Sequence, residues 1–160
     1  MASIDDLKLT WRLFMRAYPY RHLDWWPGTC LAKPITASRI ALLTSAGFYE
    51  PGQAPFDESV PGGDRSFRVI RNMTPVQSLL IGQKSEAFDH RGIEADRNLA
   101  LPIDRVRELA SDGVIGEAAP RHVSLMGSIV APGRLVSRSA PEIVQVLRED
   151  AVDAVLLTPV

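Results

Sequence analysis

The sequence is 160 residues long, with 46% hydrophobic and 23% charged side chains, a formal charge of −1 and a pI near 6.3. That near-neutral balance offers no electrostatic case for nucleic acid or an acidic membrane as partner, and no apolar run reaches the ~20 residues of a membrane span. Cys30 is the single cysteine, so the 160 residues hold no internal disulfide, CxxC pair or cysteine-built zinc site. The first residues carry acids early and no small-residue cleavage pattern, so the expected location is the cytoplasm.

Ser3 is a candidate cap for a first helix, with Asp5 and Asp6 set favourably against its dipole. Leu7, Trp11, Phe14 and Tyr18 recur at helical spacing and form one apolar stripe, and Pro19 closes it. Tyr18, Tyr20, Trp25 and Trp26 then crowd into a short irregular piece. These rings read as cover for the domain's own core. The alternative is a docking arm for a partner subunit. Residues 1–38 are thus read as an N-terminal helix with an aromatic-rich arm, and 39–160 as an α/β domain.

RIALL, Arg39 to Leu43, predicts a buried strand emptying into the small-residue loop Thr44-Ser45-Ala46-Gly47. Loops at the carboxyl ends of strands bind ligands in open α/β sheets, although this one is not GxGxxG. Phe48 to Asp64 is rich in turn residues, and Ser66 to Ile70 alternates as a second strand would. Leu79-Leu80-Ile81 is a short strand candidate. Asp89, His90, Asp96 and His122 offer a metal set of unfamiliar spacing; a charged loop paired with Arg91 and Arg97 is the plainer reading.

Pro102 opens a helix whose buried face is Ile103, Val106, Leu109 and Ala110, and Asp112-Gly113 ends it. In the strand RHVSLM the alternation sets His122, Ser124 and Met126 on one face. A base and a hydroxyl on one face suggest hydrolysis, but no acid completes a triad and no GxSxG elbow is present. Ser139 and Glu142 read as a capping box before a helix reaching about Asp150. The apolar run Ala154 to Leu157 then predicts a buried parallel strand. The expected architecture is a Rossmann-like, open, mainly parallel sheet with flanking helices.

The run DHRGIEADRNLALPIDRVRELASDGVIGEAAPRHVSLMG, together with RIALLTSAG, PFD, GDRSFRVI and DAVLLTPV, resembles the selenoprotein B family of the glycine, sarcosine and betaine reductases and D-proline reductase, over roughly residues 39–160. The resemblance implies a reductase in which a selenolate attacks the α-carbon of an amine-bearing substrate and displaces the amine. An external dithiol regenerates the site, and a pyruvoyl-bearing subunit activates substrate in some systems. In that family a selenocysteine or cysteine motif follows the strand resembling DAVLLTPV, at a helix start that favours the anionic form. The nucleophile is therefore expected just after Val160, beyond a selenocysteine codon read as stop. No cofactor is expected to be bound covalently within the 160 residues themselves.

Carried onto this chain, the resemblance makes Asp89, His90, Arg121 and His122 candidates for orienting substrate or cofactor groups. Thr44 and Ser45 would border the same sheet edge, and Thr158 would lead into the nucleophile. The expected partners are a small amine-containing substrate, other reductase subunits, or a second copy of the chain. Two other readings stand beside this one: an assembly module without the redox motif, and a metal-dependent hydrolase using His90 and His122. Cys30 as sole nucleophile ranks last.

Overall fold

The computed structural model describes residues 8–18, 24, 28–83 and 91–160. The chain divides into two compact units, Met1–Cys30 and Leu31–Val160. The first contributes helix α1 (Leu9–Ala17). Trp11 meets Phe14 edge-on at 5.9 Å between ring centroids, and Phe14 meets Tyr18 at 5.7 Å, so the predicted stripe shares one face. That face is exposed rather than buried. Ser3, Asp5, Asp6, Leu7, Pro19, Tyr20, Trp25 and Trp26 lie outside the described residues.

The second unit is built on β1 (Arg39–Thr44), whose Ala41 and Leu42 are wholly buried. A strand this apolar on both faces belongs at the centre of a sheet. It pairs in parallel with β7 (Ala154–Thr158) on one edge, from Ile40↔Ala154 to Thr44↔Thr158. Its other edge is shared by β5 (Glu117–Ala118) and β6 (Arg121–Leu125), both parallel to it. These two are one strand interrupted at Ala119-Pro120. The Ala119 N–H still reaches the Ile40 carbonyl at 2.8 Å, whereas the Pro120 carbonyl turns away to accept from Asn72 N–H, also at 2.8 Å. A proline has no N–H to give the ladder, and here it marks the break.

Strand β3 (Phe67–Arg71) completes the sheet, antiparallel to β6 from Phe67↔Leu125 to Arg71↔Arg121. The order β3-β6-β1-β7 is a mixed α/β sheet with three of four positions parallel. A two-stranded antiparallel ribbon, β2 (Phe48–Tyr49) with β4 (Leu80–Ile81), lies off it. Helices α2 (Arg91–Ala95) and α3 (Ile103–Ser111) supply Ile93, Ile103 and Val106 to a core that includes Leu42, Phe48, Ile70, Leu79 and Leu101. As expected, α3 ends at Asp112-Gly113, with Gly113 at φ 69°. Leu109, on the predicted buried face, is instead 40% exposed.

Two sequence expectations are corrected here. Helix α4 (Ala140–Glu149) does not begin in a capping box. A π-helical turn, Leu135–Ser139, precedes it, and Ser139 already has helical angles. The Ser139 hydroxyl donates to the Arg65 carbonyl at 2.6 Å, a tertiary bond that takes the place of the cap. Strand β7 is parallel, as expected, but not buried: Leu156 is 48% and Leu157 63% exposed. It occupies the edge of the sheet, with a strand on one side only. No helix among the described residues is long and apolar enough to cross a membrane.

Candidate functional site at the carboxyl ends of the parallel strands

Parallel strands open their loops at the carboxyl ends, where open α/β sheets hold ligands. Here β1 and β7 finish level, Thr44 opposite Thr158, and their hydroxyls tie the two ends together. Thr44 Oγ1 donates to the Thr158 carbonyl at 3.1 Å and accepts from Ala46 N–H at 3.1 Å. Thr158 Oγ1 donates to the Ala100 carbonyl at 2.7 Å, tying the edge to the segment before α3. Val160 N–H donates to Ser45 Oγ at 2.9 Å, so the chain leaving β7 runs along the turn that follows β1. Thr44, Ser45 and Thr158, separated by more than a hundred positions in sequence, therefore make one polar cluster.

Two further residues belong to that edge and were not singled out from sequence. Gln83 Nε2 donates to the Ser45 carbonyl at 3.2 Å, while its Oε1 is buried without a partner among the described residues. Gly127, just past β6, lets this happen: a Cβ there would fall 2.6 Å from Gln83 Nε2 and 3.0 Å from the Ser45 carbonyl oxygen. A lone glutamine in an irregular stretch carries no sequence signal. The glycine after RHVSLM was the only available hint.

His122 and Arg121 are held elsewhere. His122 is wholly buried and links two strands. Its Nδ1 accepts the Leu42 N–H of β1 at 3.1 Å, where the break at Pro120 has removed the backbone acceptor. Its Nε2 lies 3.1 Å from Asn72 Oδ1, which sets the tautomer with the proton on Nε2. Burial first, and the charge of Arg107 second, push its pKa down from 6.5 to about 4. A neutral, doubly bonded ring suits a strand-joining role.

Arg121 begins β6, three residues before the Ser124 that stands opposite Thr44, or about 10 Å toward the amino end at ~3.3 Å per residue. Its guanidinium makes two bonds of 2.8 Å to Asp150 and one of 3.2 Å to Glu149, and these bonds hold it firmly charged. Ser124, on the His122 face, is buried and its hydroxyl has no partner among the described residues. Asp96 caps the turn Arg97–Leu99 through Asn98 N–H at 2.9 Å. Asp89 and His90 lie outside the described residues. Among the described residues no three histidine, cysteine or acidic side chains gather as a metal set.

A cavity of about 360 Å³ beside Glu50, Arg71 and Thr74 lies at the amino end of β6, since Arg71 stands opposite Arg121. Burial raises the Glu50 pKa, but bonds from the Thr74 hydroxyl and from Arg71 outweigh it and hold the carboxylate below its usual range. Its oxygens are already taken. The carboxyl edge remains the better place for chemistry.

Comparison with known proteins places the sequence in a family. The sequence model of the glycine/sarcosine/betaine reductase selenoprotein B family matches residues 7–160. The chain is 34% identical to D-proline reductase subunit gamma of Acetoanaerobium sticklandii over 134 residues, 84% of this chain and 52% of that protein. It is 28% identical to glycine reductase complex component B subunit gamma of Symbiobacterium thermophilum, over 94% of this chain and 35% of the relative. To sarcosine reductase complex component B subunit beta of Peptoclostridium acidaminophilum it is also 28% identical, over 98% and 36%. The chain thus spans between about a third and a half of the length of these relatives. No solved structure matches it. With the family's pattern running through β1, α3, β6 and β7 alike, the chain belongs to the glycine/sarcosine/betaine reductase selenoprotein B family.

Proposed function

We propose that this chain is part of a subunit of a reductase complex that cleaves the carbon–nitrogen bond of a small amine, with its redox nucleophile supplied by residues following Val160. The supporting observation is the family match across residues 7–160, joined to the level ends of β1 and β7. Relatives named as components of glycine, sarcosine and D-proline reductases carry amine substrates in their names. Cys30, the single cysteine, belongs to the other compact unit and not to the one that carries the sheet.

In this reading a selenolate or thiolate after β7 attacks the α-carbon of the substrate, the carbon–nitrogen bond breaks as the carbon–chalcogen bond forms, and the amine leaves with its electron pair. A dithiol then supplies the two electrons that release the product and restore the nucleophile. This chain's own part is positional. Thr44 and Ser45 hold the emerging segment against the turn after β1, Gln83 braces that turn through the Ser45 carbonyl, and Thr158 locks the end of β7 to Ala100. Other reductase subunits complete the assembly.

The test is to sequence and express the gene through the codon after Val160, together with its neighbouring subunits. Release of ammonia from glycine or of methylamine from sarcosine, and ring opening of D-proline to its linear amino acid, are then assayed with dithiothreitol. Activity that depends on a selenocysteine or cysteine encoded downstream supports the reading. A complete complex that cleaves the carbon–nitrogen bond of none of the three overturns it.

A further inference from the structure

The loop before β3 and the π-helical turn before α4 enclose a cavity of about 250 Å³ lined by Arg65, Ser66, Arg134, Arg138, Ser139 and Glu142. It lies below the roughly 300–1,000 Å³ of drug-sized pockets and suits a small molecule. Its place in the fold is informative. Phe67 stands opposite Leu125, so Arg65 lies at the carboxyl end of β6, and Arg134 and Arg138 come from the connection that leaves that end. β3 is two strands from β1 across β6, which puts the cavity on the Thr44–Thr158 edge, about 10 Å to the side at ~4.8 Å per strand.

The three guanidinium groups differ from five arginines that brace the sheet unit; Arg97 instead bonds the Leu79 carbonyl, and Arg148, also without a carboxylate among the described residues, does not line this cavity. Arg39, Arg68, Arg71, Arg107 and Arg121 each hold a carboxylate. Among the described residues Arg65, Arg134 and Arg138 hold none, and Arg65 Nε is buried without a hydrogen-bond partner. Arg39 and Arg107 also leave Nε unpaired, but their terminal nitrogens are satisfied. An unpaired buried N–H is costly unless something outside the protein accepts from it. Three like charges facing one small cavity are stabilised by an anion there.

The cavity is also built to keep its shape. Ser139 Oγ bonds the Arg65 carbonyl, joining the two walls. Asp64 ties the preceding loop by accepting from Asp57 N–H, Ser66 N–H and Ser66 Oγ. Gly63, at φ 93°, passes so close to Ile129 that a Cβ would fall 3.2 Å from its Cα. A π turn widens a helix by one residue and recurs at functional sites. Here it carries Arg138 and Ser139 into the cavity, with Arg134 immediately before it. Glu142 adds one acid to three bases, so a ligand carrying both a carboxylate and an ammonium matches the lining better than a bare anion does.

We propose that Arg65, Arg134 and Arg138 bind the carboxylate of a small amino acid whose ammonium group faces Glu142. The choice of amino acids as ligands rests on the proposed reductase function; the anion site itself does not.

The experiment follows the arginine Nε–Hε resonances of the 160-residue protein during titration with sarcosine and D-proline, and in parallel with acetate and inorganic phosphate. The expected result is that the two amino acids shift the Arg65 signal and bind more tightly than acetate or phosphate. R134A/R138A, at exposed positions without partners among the described residues, should weaken their binding by about tenfold or more while leaving the unfolding midpoint in place. E142Q should bring the amino acids down to the affinity of acetate. Unchanged affinity in R134A/R138A overturns the site, and phosphate binding as tightly as sarcosine overturns the amino-acid assignment. Binding here without carbon–nitrogen cleavage by the complete complex would leave the pocket standing and sink the reductase reading. Carbon–nitrogen cleavage without binding at this pocket would do the reverse.

Discussion

Strands β1 and β7 lie side by side, in register over five residues, and both are aliphatic: Ile40-Ala41-Leu42-Leu43 against Ala154-Val155-Leu156-Leu157. Nothing in their local composition separates them. Leu42 is nevertheless wholly buried and packs in the core with Ile70, Leu79 and Leu101, while its register partner Leu156 is 48% exposed. The difference comes from neighbours. β1 has a strand on each edge, whereas β7 has one on a single edge. Hydrophobic stabilisation scales with the area taken from water, so the same side chain contributes very differently in the two places.

The largest test of that contrast is Leu42→Ala. Removing a fully buried leucine should cost about 2–5 kcal/mol in denaturant unfolding, because the densely packed site cannot close over the void. A loss under about 1 kcal/mol would mean that β1 is not the centre of the core.

The next concerns the opposite edge of β1, where His122 supplies the acceptor for Leu42 N–H. Between pH 6.5 and about 4 the unfolded chain takes a proton that the folded chain refuses, because burial lowers the His122 pKa to about 4. Stability should therefore fall as pH drops through that window, by about 3 kcal/mol in all, the full loss being reached below pH 4. His122→Gln should flatten this part of the curve relative to wild type. Parallel curves for the two proteins would show that His122 does not carry the pH dependence.

Thr158→Val tests the tie at the carboxyl edge. It removes the bond to the buried Ala100 carbonyl and should cost about 1–2 kcal/mol. If valine is neutral, the cluster does not fix the end of β7. The smallest effect belongs to Leu157→Lys, at a position 63% exposed, expected within about 0.5 kcal/mol. A loss comparable to that of Leu42→Ala, or a change in sedimentation, would show that β7 is covered in solution and that the contrast with β1 holds only for the isolated chain.

The legibility of the site follows the same division. RIALL, the helix from Ile103 and the run at Val155 were readable because periodicity and apolar content are local properties. Thr44, Ser45 and Thr158 gather at one edge because level parallel strands bring their carboxyl ends together. Arg121 and His122 adjoin in sequence and were grouped with that edge. Yet one is clamped by Asp150 at the amino end and the other is sealed between β1 and Asn72. Gln83 and the three arginines of the cavity went unnoticed, because no spacing rule links residues 65, 83, 134 and 138.

By itself the sequence determined the α/β class, most strand and helix positions, and the family, since each rests on local pattern or on motifs read residue by residue. Only the tertiary structure decided that β7 is an edge, that Ser139 bonds Arg65 instead of capping a helix, and that His122 completes a broken ladder. Those outcomes depend on which segments become neighbours. Burial, pKa and unpaired charge are properties of neighbours, not of residues.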